Sequence, residues 1–327
     1  MRENIHKVGI ILLLVIILGS SGFIYFEKGT RPLDALWWSV VTLTTVGYGD
    51  ISPTTPGGRL VGMGVMILGI GFLGILTATI ASVLIEKRIL ENKGMKTATV
   101  SNHFILCGWN YRGSDIVAEL RADPKCKGTP LVVLADIAEK PLDDPYLFFV
   151  RGDVNPENLD KATIDAAQSI IVLSDDRLDA YARDAKTILS TLTIKNRRPD
   201  VYTCVELMDP KNLGHCKLAK ADEVIVVGDL TTNLLVQAAL DHGITRLISE
   251  LVSNRYGKDL YKIKVPAEFI GQTFFNTMCK LKQEWDILCL GLVDKTGENY
   301  LANPDGERHL GADDRLIVIA DDRPNIA

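Results

Sequence analysis

Hydrophobic positions fall into two patterns along this chain. Residues 8–26 and 60–85 contain almost all of its long uncharged stretches, and the remainder alternates charge with short apolar runs. Val8–Phe26 is apolar except at Ser20 and Ser21, and its 19 residues at about 1.5 Å each nearly cross a hydrocarbon core of about 30 Å. A cleaved signal peptide has a shorter apolar region and a small-x-small site, which Glu27-Lys28-Gly29 does not offer. Leu60–Ile85 predicts a second transmembrane helix, with glycines at 62, 64, 69, 71 and 74 that permit close helix approach. Between the two, Thr30-Arg31-Pro32 predicts a helix entry. The helix it opens, Leu33–Thr44, is too short to span and is therefore expected to be re-entrant and buried in protein.

Lys87–Asn102 is charged, then polar, and predicts a helical extension followed by a linker. Short apolar runs follow at Phe104–Cys107, Leu131–Ala135, Leu147–Val150, Ile170–Leu173, Val201–Leu207 and Val224–Val227. Helical stretches separate them, which predicts a parallel sheet covered by helices on both faces. Leu230–His242 and Ile244–Asn254 predict two helices turning at Gly243. Beyond them, strands are expected at Tyr261–Val265, Ile287–Val293 and Leu316–Ala320, a helix at Phe274–Lys282, and a hairpin turn at Asp294-Lys295-Thr296-Gly297. The expected fold is an α-helical membrane part (two transmembrane helices plus a re-entrant helix) followed by an α/β Rossmann-like domain and a small α+β lobe. The expected boundaries are 1–90 for the membrane part, 91–102 for the linker, 103–229 for the Rossmann-like lobe, 230–256 for the helix pair and 257–327 for the last lobe.

Composition narrows the function. A chain of 327 residues has room for a membrane part and one or two soluble domains. Its net charge of −5, without a polybasic tail, argues against a nucleic-acid partner. Cysteines 107, 126, 204, 216, 279 and 289 are scattered with no Cys-x-x-Cys, which suits reduced cytosolic thiols and neither a disulfide framework nor a zinc site. The lysine and arginine bias around the two spans is weak. No arginine repeats precede the first loop, so no voltage-sensing helix is expected.

The stretch Thr42-Leu-Thr-Thr-Val-Gly-Tyr-Gly-Asp50 sits between the two membrane-length runs. Successive carbonyls point the same way only where some residues take left-handed angles, which glycine does without steric cost. Carbonyls of Thr45, Val46, Gly47 and Tyr48, with the Thr45 hydroxyl, then replace the water shell of a dehydrated monovalent cation. Thr45, Val46, Gly47, Tyr48 and Gly49 resemble the selectivity filter of potassium channels, a sequence that is itself the standard illustration of such filters. One copy per chain is one wall of a pore. The resemblance implies a homotetramer around potassium ions, in the cell membrane as a multi-pass protein. It also implies that Trp37 and Trp38 form an aromatic support behind the filter, with the Trp37 indole donating to Asp50. Val41 departs from relatives that carry a glutamate there. Gly69 matches the family's gating hinge and Gly74 lies at its inner gate, close packing being the structural alternative for both.

Gly108-Trp109-Asn110-Tyr111-Arg112-Gly113 follows one strand and opens a helix, and Asp136 ends the next strand. This is the place of a dinucleotide fingerprint, although Asn110 occupies the second glycine position. Gly108, Asn110, Arg112 and Gly113 are the expected phosphate residues and Asp136 the ribose partner, for NAD or another adenine nucleotide; the alternative is an empty crevice. From about Ser101 to Asp229 the chain resembles the regulator-of-potassium-conductance (RCK) domain of prokaryotic potassium channels, and the resemblance places this domain in the cytoplasm. It implies gating by nucleotide or calcium, with Asp175, Asp176, Asp184 and Glu206 as candidate calcium ligands near strand ends; Met208 stands where a second acid would strengthen that site. The family arrangement is a ring of eight modules below a tetrameric pore. A translation start at Met95 would supply the extra soluble copies, though a linker methionine needs no such purpose.

The function expected is a ligand-gated potassium channel with no catalytic residues. Two alternatives remain, a membrane-tethered nucleotide-binding oxidoreductase and a regulatory subunit of a potassium transporter. The five histidines (6, 103, 215, 242 and 309) show no crevice pairing with lysine or arginine, which disfavours the former, and the filter disfavours the latter.

Overall fold

A computed structural model describes residues 2–297 and 299–326. The chain divides into two compact units, residues 1–90 and 91–327, considered separately below.

The first unit holds three helices: α1 (Arg2–Phe26), α2 (Pro32–Leu43) and α3 (Pro56–Asn92). α1 and α3 are long and apolar enough to cross a membrane. Pro32 occupies the first turn of α2, where its missing N–H costs nothing. α3 runs without a break through every glycine and on past Glu86, Lys87 and Arg88, so the polar extension is helical almost to the end of its charges. Phe23 of α1 stacks on Trp38 of α2 at a centroid distance of 4.0 Å, and both are almost fully buried. Gly19 and Gly22 of α1 let Val65 and Val61 of α3 approach to contact. At Gly69 a side chain would lie 2.5 Å from the Leu43 carbonyl, whereas Gly71 and Gly74 face open space. Gly69 is therefore needed for the approach of α3 to the end of α2, which is the close-packing alternative to a hinge.

The second unit is built on a six-stranded parallel sheet of order β3-β2-β1-β4-β5-β6. The strands are β1 (His103–Cys107), β2 (Leu131–Ala135), β3 (Leu147–Arg151), β4 (Ala167–Val172), β5 (Tyr202–Leu207) and β6 (Glu223–Val226). Helices α4 (Gly113–Ala122), α5 (Pro156–Lys161), α6 (Ala180–Arg197) and α7 (Leu213–Leu218) make the crossovers. β2 is buried along its whole length, and its alternate residues belong to different cores. Val132 and Leu134 pack with Ile105, Ile170 and Leu159, while Leu131 and Val133 pack with Leu106 and Val117. That double burial explains why the strands read as continuous apolar runs.

Residues of the expected linker, 91–102, are hydrogen-bonded to this lobe: Lys140 N donates to Asn92 O at 2.7 Å and Arg151 N to Gly94 O at 3.0 Å. α8 (Val227–Leu240) begins directly at the end of β6, turns at Gly243 with φ +93°, and is followed by α9 (Ile244–Val252). Leu235, Leu240, Leu247 and Val252 are exposed on this pair. The last lobe is an antiparallel sheet of order β7-β10-β8-β9 with α10 (Phe274–Trp285) against it. Its strands are β7 (Asp259–Lys264), β8 (Leu288–Val293), β9 (Tyr300–Ala302) and β10 (Arg315–Ala320). The hairpin turn closes as expected, with Gly297 N donating to Asp294 O at 2.9 Å, and β9 is the partner strand the pattern had not disclosed.

Candidate functional site

A filter was expected in the first unit, and a nucleotide site and a calcium site in the second. In the first, the chain leaves α2 at Thr44 and folds back on it: the Val46 and Gly47 amides both donate to the Val41 carbonyl, at 3.1 and 3.2 Å. φ is positive at Thr45 (+63°), Gly47 (+56°) and Gly49 (+76°), the alternate residues of the loop. Gly47 and Gly49 therefore take angles that cost an L-residue about 1 kcal/mol or more. The Trp37 indole donates to Asp50 Oδ2 at 2.8 Å and its ring stacks on Tyr48, with centroids 5.8 Å apart and planes 3° from parallel. Trp38 does not join it. Successive helical residues point about 100° apart, and Trp38 turns towards Phe23 of α1 and Gly62 of α3.

Glu27, just beyond α1, is a loop anchor that sequence reasoning missed. Its carboxylate accepts from the Thr54 and Thr55 amides, both at 2.8 Å, and from the hydroxyls of Thr54 (2.7 Å) and Thr55 (2.8 Å). The bond from the Thr55 amide, followed by that from the Thr54 hydroxyl, holds its pKa down at about 2. Nothing local in the sequence links a glutamate to two threonines so far along the chain.

In the second unit, strand order reverses between β1 and β4, and a crevice opens at the carboxyl ends of the strands, the usual ligand position in such sheets. Gly108 (φ +87°), Trp109, Asp136, Asp153, Leu173 and Arg177 are among its lining residues. Of the expected nucleotide residues, the structure brings Gly108 and Asp136 to the crevice wall. Asn110 and Arg112 turn inward. Asn110 Nδ2 donates to Ser174 O and Glu206 Oε2, both at 3.1 Å, and Asn110 Oδ1 accepts the Arg112 amide at 3.0 Å. The Arg112 guanidinium pairs with Glu206, which also accepts from Ser174 N at 2.9 Å and Ser174 Oγ at 3.1 Å. The asparagine in the second glycine position thus ties β1, β4 and β5 together. At Gly113 a side chain would meet the Trp109 ring at 2.8 Å, so this glycine admits the indole against α4.

Arg177 and Lys186, also missed from the sequence, share Asp175. Arg177 meets it through Nε and Nη2, both at 2.8 Å, and Lys186 through Nζ at 2.9 Å. Arg177 Nη1 also donates to the Asp136 carbonyl at 3.1 Å, and Lys186 pairs with Asp153 at 2.7 Å. The Arg177 hydrogen bond is the main cause that holds the Asp175 carboxyl far below its usual range, despite partial burial. Burial lowers the Lys186 pKa, but its bonds to Asp153 and Asp175 outweigh that and raise it.

The expected calcium ligands are not gathered. Among the described residues no three His, Cys, Asp or Glu side chains are placed to hold a metal ion. Asp175 is taken by Arg177 and Lys186, and Asp176 by Arg183 at 3.3 Å. Asp184 is fully buried and accepts from Met208 N, Asp209 N and Asn212 Nδ2 at 3.0, 3.0 and 2.8 Å, so it holds the turn after β5.

With these geometries in hand, comparison with known proteins separates the two units by family. Residues 10–86 match the family model described as "Ion channel", and residues 99–205 match that of the calcium-activated potassium channel slowpoke-like RCK domain. Over 98% of its length the chain is 30% identical to the calcium-gated potassium channel TvoK of Thermoplasma volcanium, covering 92% of that protein. The chain belongs to the RCK-domain potassium channels. It is a ligand-gated potassium channel of the membrane. Potassium channel protein 1 of Methanocaldococcus jannaschii is 27% identical over 96% of the chain and 91% of that protein. The fold of this RCK channel is also that of the GsuK channel bound to NAD (TM-score 0.50, 17% identity, 97% of this chain and 57% of that one). The human SLO3 gating ring is similar in fold (TM-score 0.54, 17% identity, 67% of this chain and 44% of that one).

Proposed function

We propose that Thr45–Gly49 is the potassium-selective filter of a homotetramer, with flux passive and the RCK domain in the cytoplasm. The observation that carries this reading is the loop itself: positive φ at alternate residues, directly after a short helix and braced by Trp37 and Asp50. The carboxy end of α2 carries partial negative charge, which favours a cation beside it. Replacing Gly47 with alanine places an L-residue at φ +56° and is expected to abolish selective flux in liposomes.

The gating ligand of the crevice is an adenine nucleotide. Gly108 supports close backbone approach, and the exposed Asp136 carboxylate suits ribose hydroxyls. Asn110, Arg112 and Gly113 act one step behind, by shaping the turn through Glu206 and Trp109. NAD and ADP are the probes to compare, and the site binds without turnover. Calcium is the second reading, favoured by the name of the relative TvoK. A calcium site in this chain needs ligands beyond Asp175, Asp176, Asp184 and Glu206, since each of those is already paired within one chain. Whether soluble modules started at Met95 complete a ring of eight is tested by intact mass of protein carrying a carboxy-terminal tag. One full-length species, still single after Met95→Leu, requires a ring closed with four modules.

A further inference from the structure

In a sheet of this kind a ligand phosphate usually meets the first turn of the helix after β1. In this chain that turn is already engaged. The Arg112 and Gly113 amides donate to Asn110 Oδ1 and Asn110 O, both at 3.0 Å. The Trp109 ring lies against Gly113, and Asp115 adds a carboxylate to the first turn of α4. Arg255, beside that turn, is shared between Asp115 at 3.4 Å and Glu119 at 3.0 Å. Arg112 itself is held by the buried Glu206.

The cations of the crevice wall are engaged as well. Among the described residues that line it, Arg177 and Lys186 face the carboxylates of Asp136, Asp153 and Asp175. Two positive charges against three negative ones leave the wall at −1, which disfavours a phosphate. The Arg177 fork closes on both oxygens of Asp175 at 2.8 Å, and Lys186 bridges Asp175 at 2.9 Å and Asp153 at 2.7 Å. A bidentate arginine–carboxylate contact is among the strongest pairings of side chains, and a phosphate must break it before the guanidinium can turn. What the crevice leaves available is the exposed Asp136 carboxylate and the half-buried apolar surface of Trp109, Ile137 and Val154.

We propose that Asp175 sets the class of ligand: by holding Arg177 and Lys186 together, it makes the crevice read a nucleoside and leave the phosphates in solvent. The inference rests on the adenine-nucleotide reading above and adds which part of the nucleotide is recognised. Ribose hydroxyls meet Asp136, the base lies on the apolar wall, and no cation is free to reward a phosphate. Charge-assisted hydrogen bonds are about twice as strong as neutral ones, so a single cation released from Asp175 is enough to reverse the preference.

The test is calorimetry on the purified full-length channel with adenosine, ADP and inorganic phosphate as separate probes. Adenosine and ADP are expected to bind within about threefold of each other, with no binding of phosphate alone. ADP bound about tenfold or more tighter than adenosine overturns the proposal and leaves the adenine-nucleotide reading standing. Binding of neither adenosine nor ADP overturns both. Asp175→Asn frees the two cations and is expected to raise the affinity for ADP relative to adenosine about tenfold or more. Asp153→Asn, at an exposed position, frees Lys186 from one partner and is expected to shift the same ratio by about threefold. An unchanged ratio in folded Asp175→Asn overturns the role given to Asp175; if that variant does not fold, an unchanged ratio in Asp153→Asn does so.

Discussion

The Arg112 guanidinium rests on the Glu206 carboxylate, joining the first crevice turn to the end of β5. Glu206 is 8% exposed and receives further bonds from Asn110 and Ser174. Arg112→Ala removes a charged partner but leaves three donors on the carboxylate. The expected cost is about 2 kcal/mol of stability, a loss that thermal denaturation of the purified channel measures. A variant as stable as the unmodified protein contradicts the structural role assigned to this pair.

Trp37→Phe separates the two contacts of the indole, since a phenyl ring keeps the stack on Tyr48 and loses the bond to Asp50. A hydrogen bond to a charged group contributes about 1.5 kcal/mol or more, so the conducting shape of the loop is expected to weaken roughly tenfold. Single-channel recording should show shorter conducting periods with potassium selectivity kept.

Gly69 and Gly74 are expected to part company. Gly69→Ala forces a methyl group towards the Leu43 carbonyl and is expected to cost about 1–3 kcal/mol, read as lower yield and lower thermal stability of the assembled channel. Gly74→Ala meets nothing and gains helix propensity of up to about 1 kcal/mol. Equal stability of the two variants removes close packing as the reason for Gly69.

His103 is expected to make the second unit sensitive to acid. The ring is fully buried, Nε2 bonds the Ala162 carbonyl at 2.9 Å, and Nδ1 has no partner. Burial, with a smaller contribution from Arg198, holds its pKa below the ordinary 6.5, despite the bond to Ala162. The folded state thus favours the neutral ring. This contribution is fully present above pH 6.5 and is lost as pH falls below that value, by up to about 1.4 kcal/mol per unit until the folded pKa is reached. Melting temperature from pH 7.5 to about 5.5 should fall in the unmodified protein and fall less in His103→Gln.

Much of this was legible in the sequence because periodicity and backbone angle are local properties. Two apolar spans, a short helix opened by Pro32, alternating glycines and strands with both faces buried each carry their own signal. Contacts between distant residues were not legible. Glu27 reaches Thr54 and Thr55, Arg177 reaches Asp136, and Gly94 reaches Arg151, and in each case the partner is chosen by the tertiary fold. The same limit explains the scattered acids. Asp175, Asp176 and Glu206 lie at strand ends or just beyond, as read, whereas Asp184 lies within α6, and each has found a donor within the chain before any metal is considered. Trp38 shows a further limit, since adjacent aromatic residues on a helix face different neighbours.

A potassium-selective path is expected to run through Thr45–Gly49. The direct measurement is the reversal potential of the purified full-length channel in lipid bilayers under opposed potassium and sodium gradients. Strong potassium preference that is lost in Gly47→Ala is the predicted result. Equal permeability of the two ions in the unmodified protein, or a selectivity untouched by that substitution, contradicts the account.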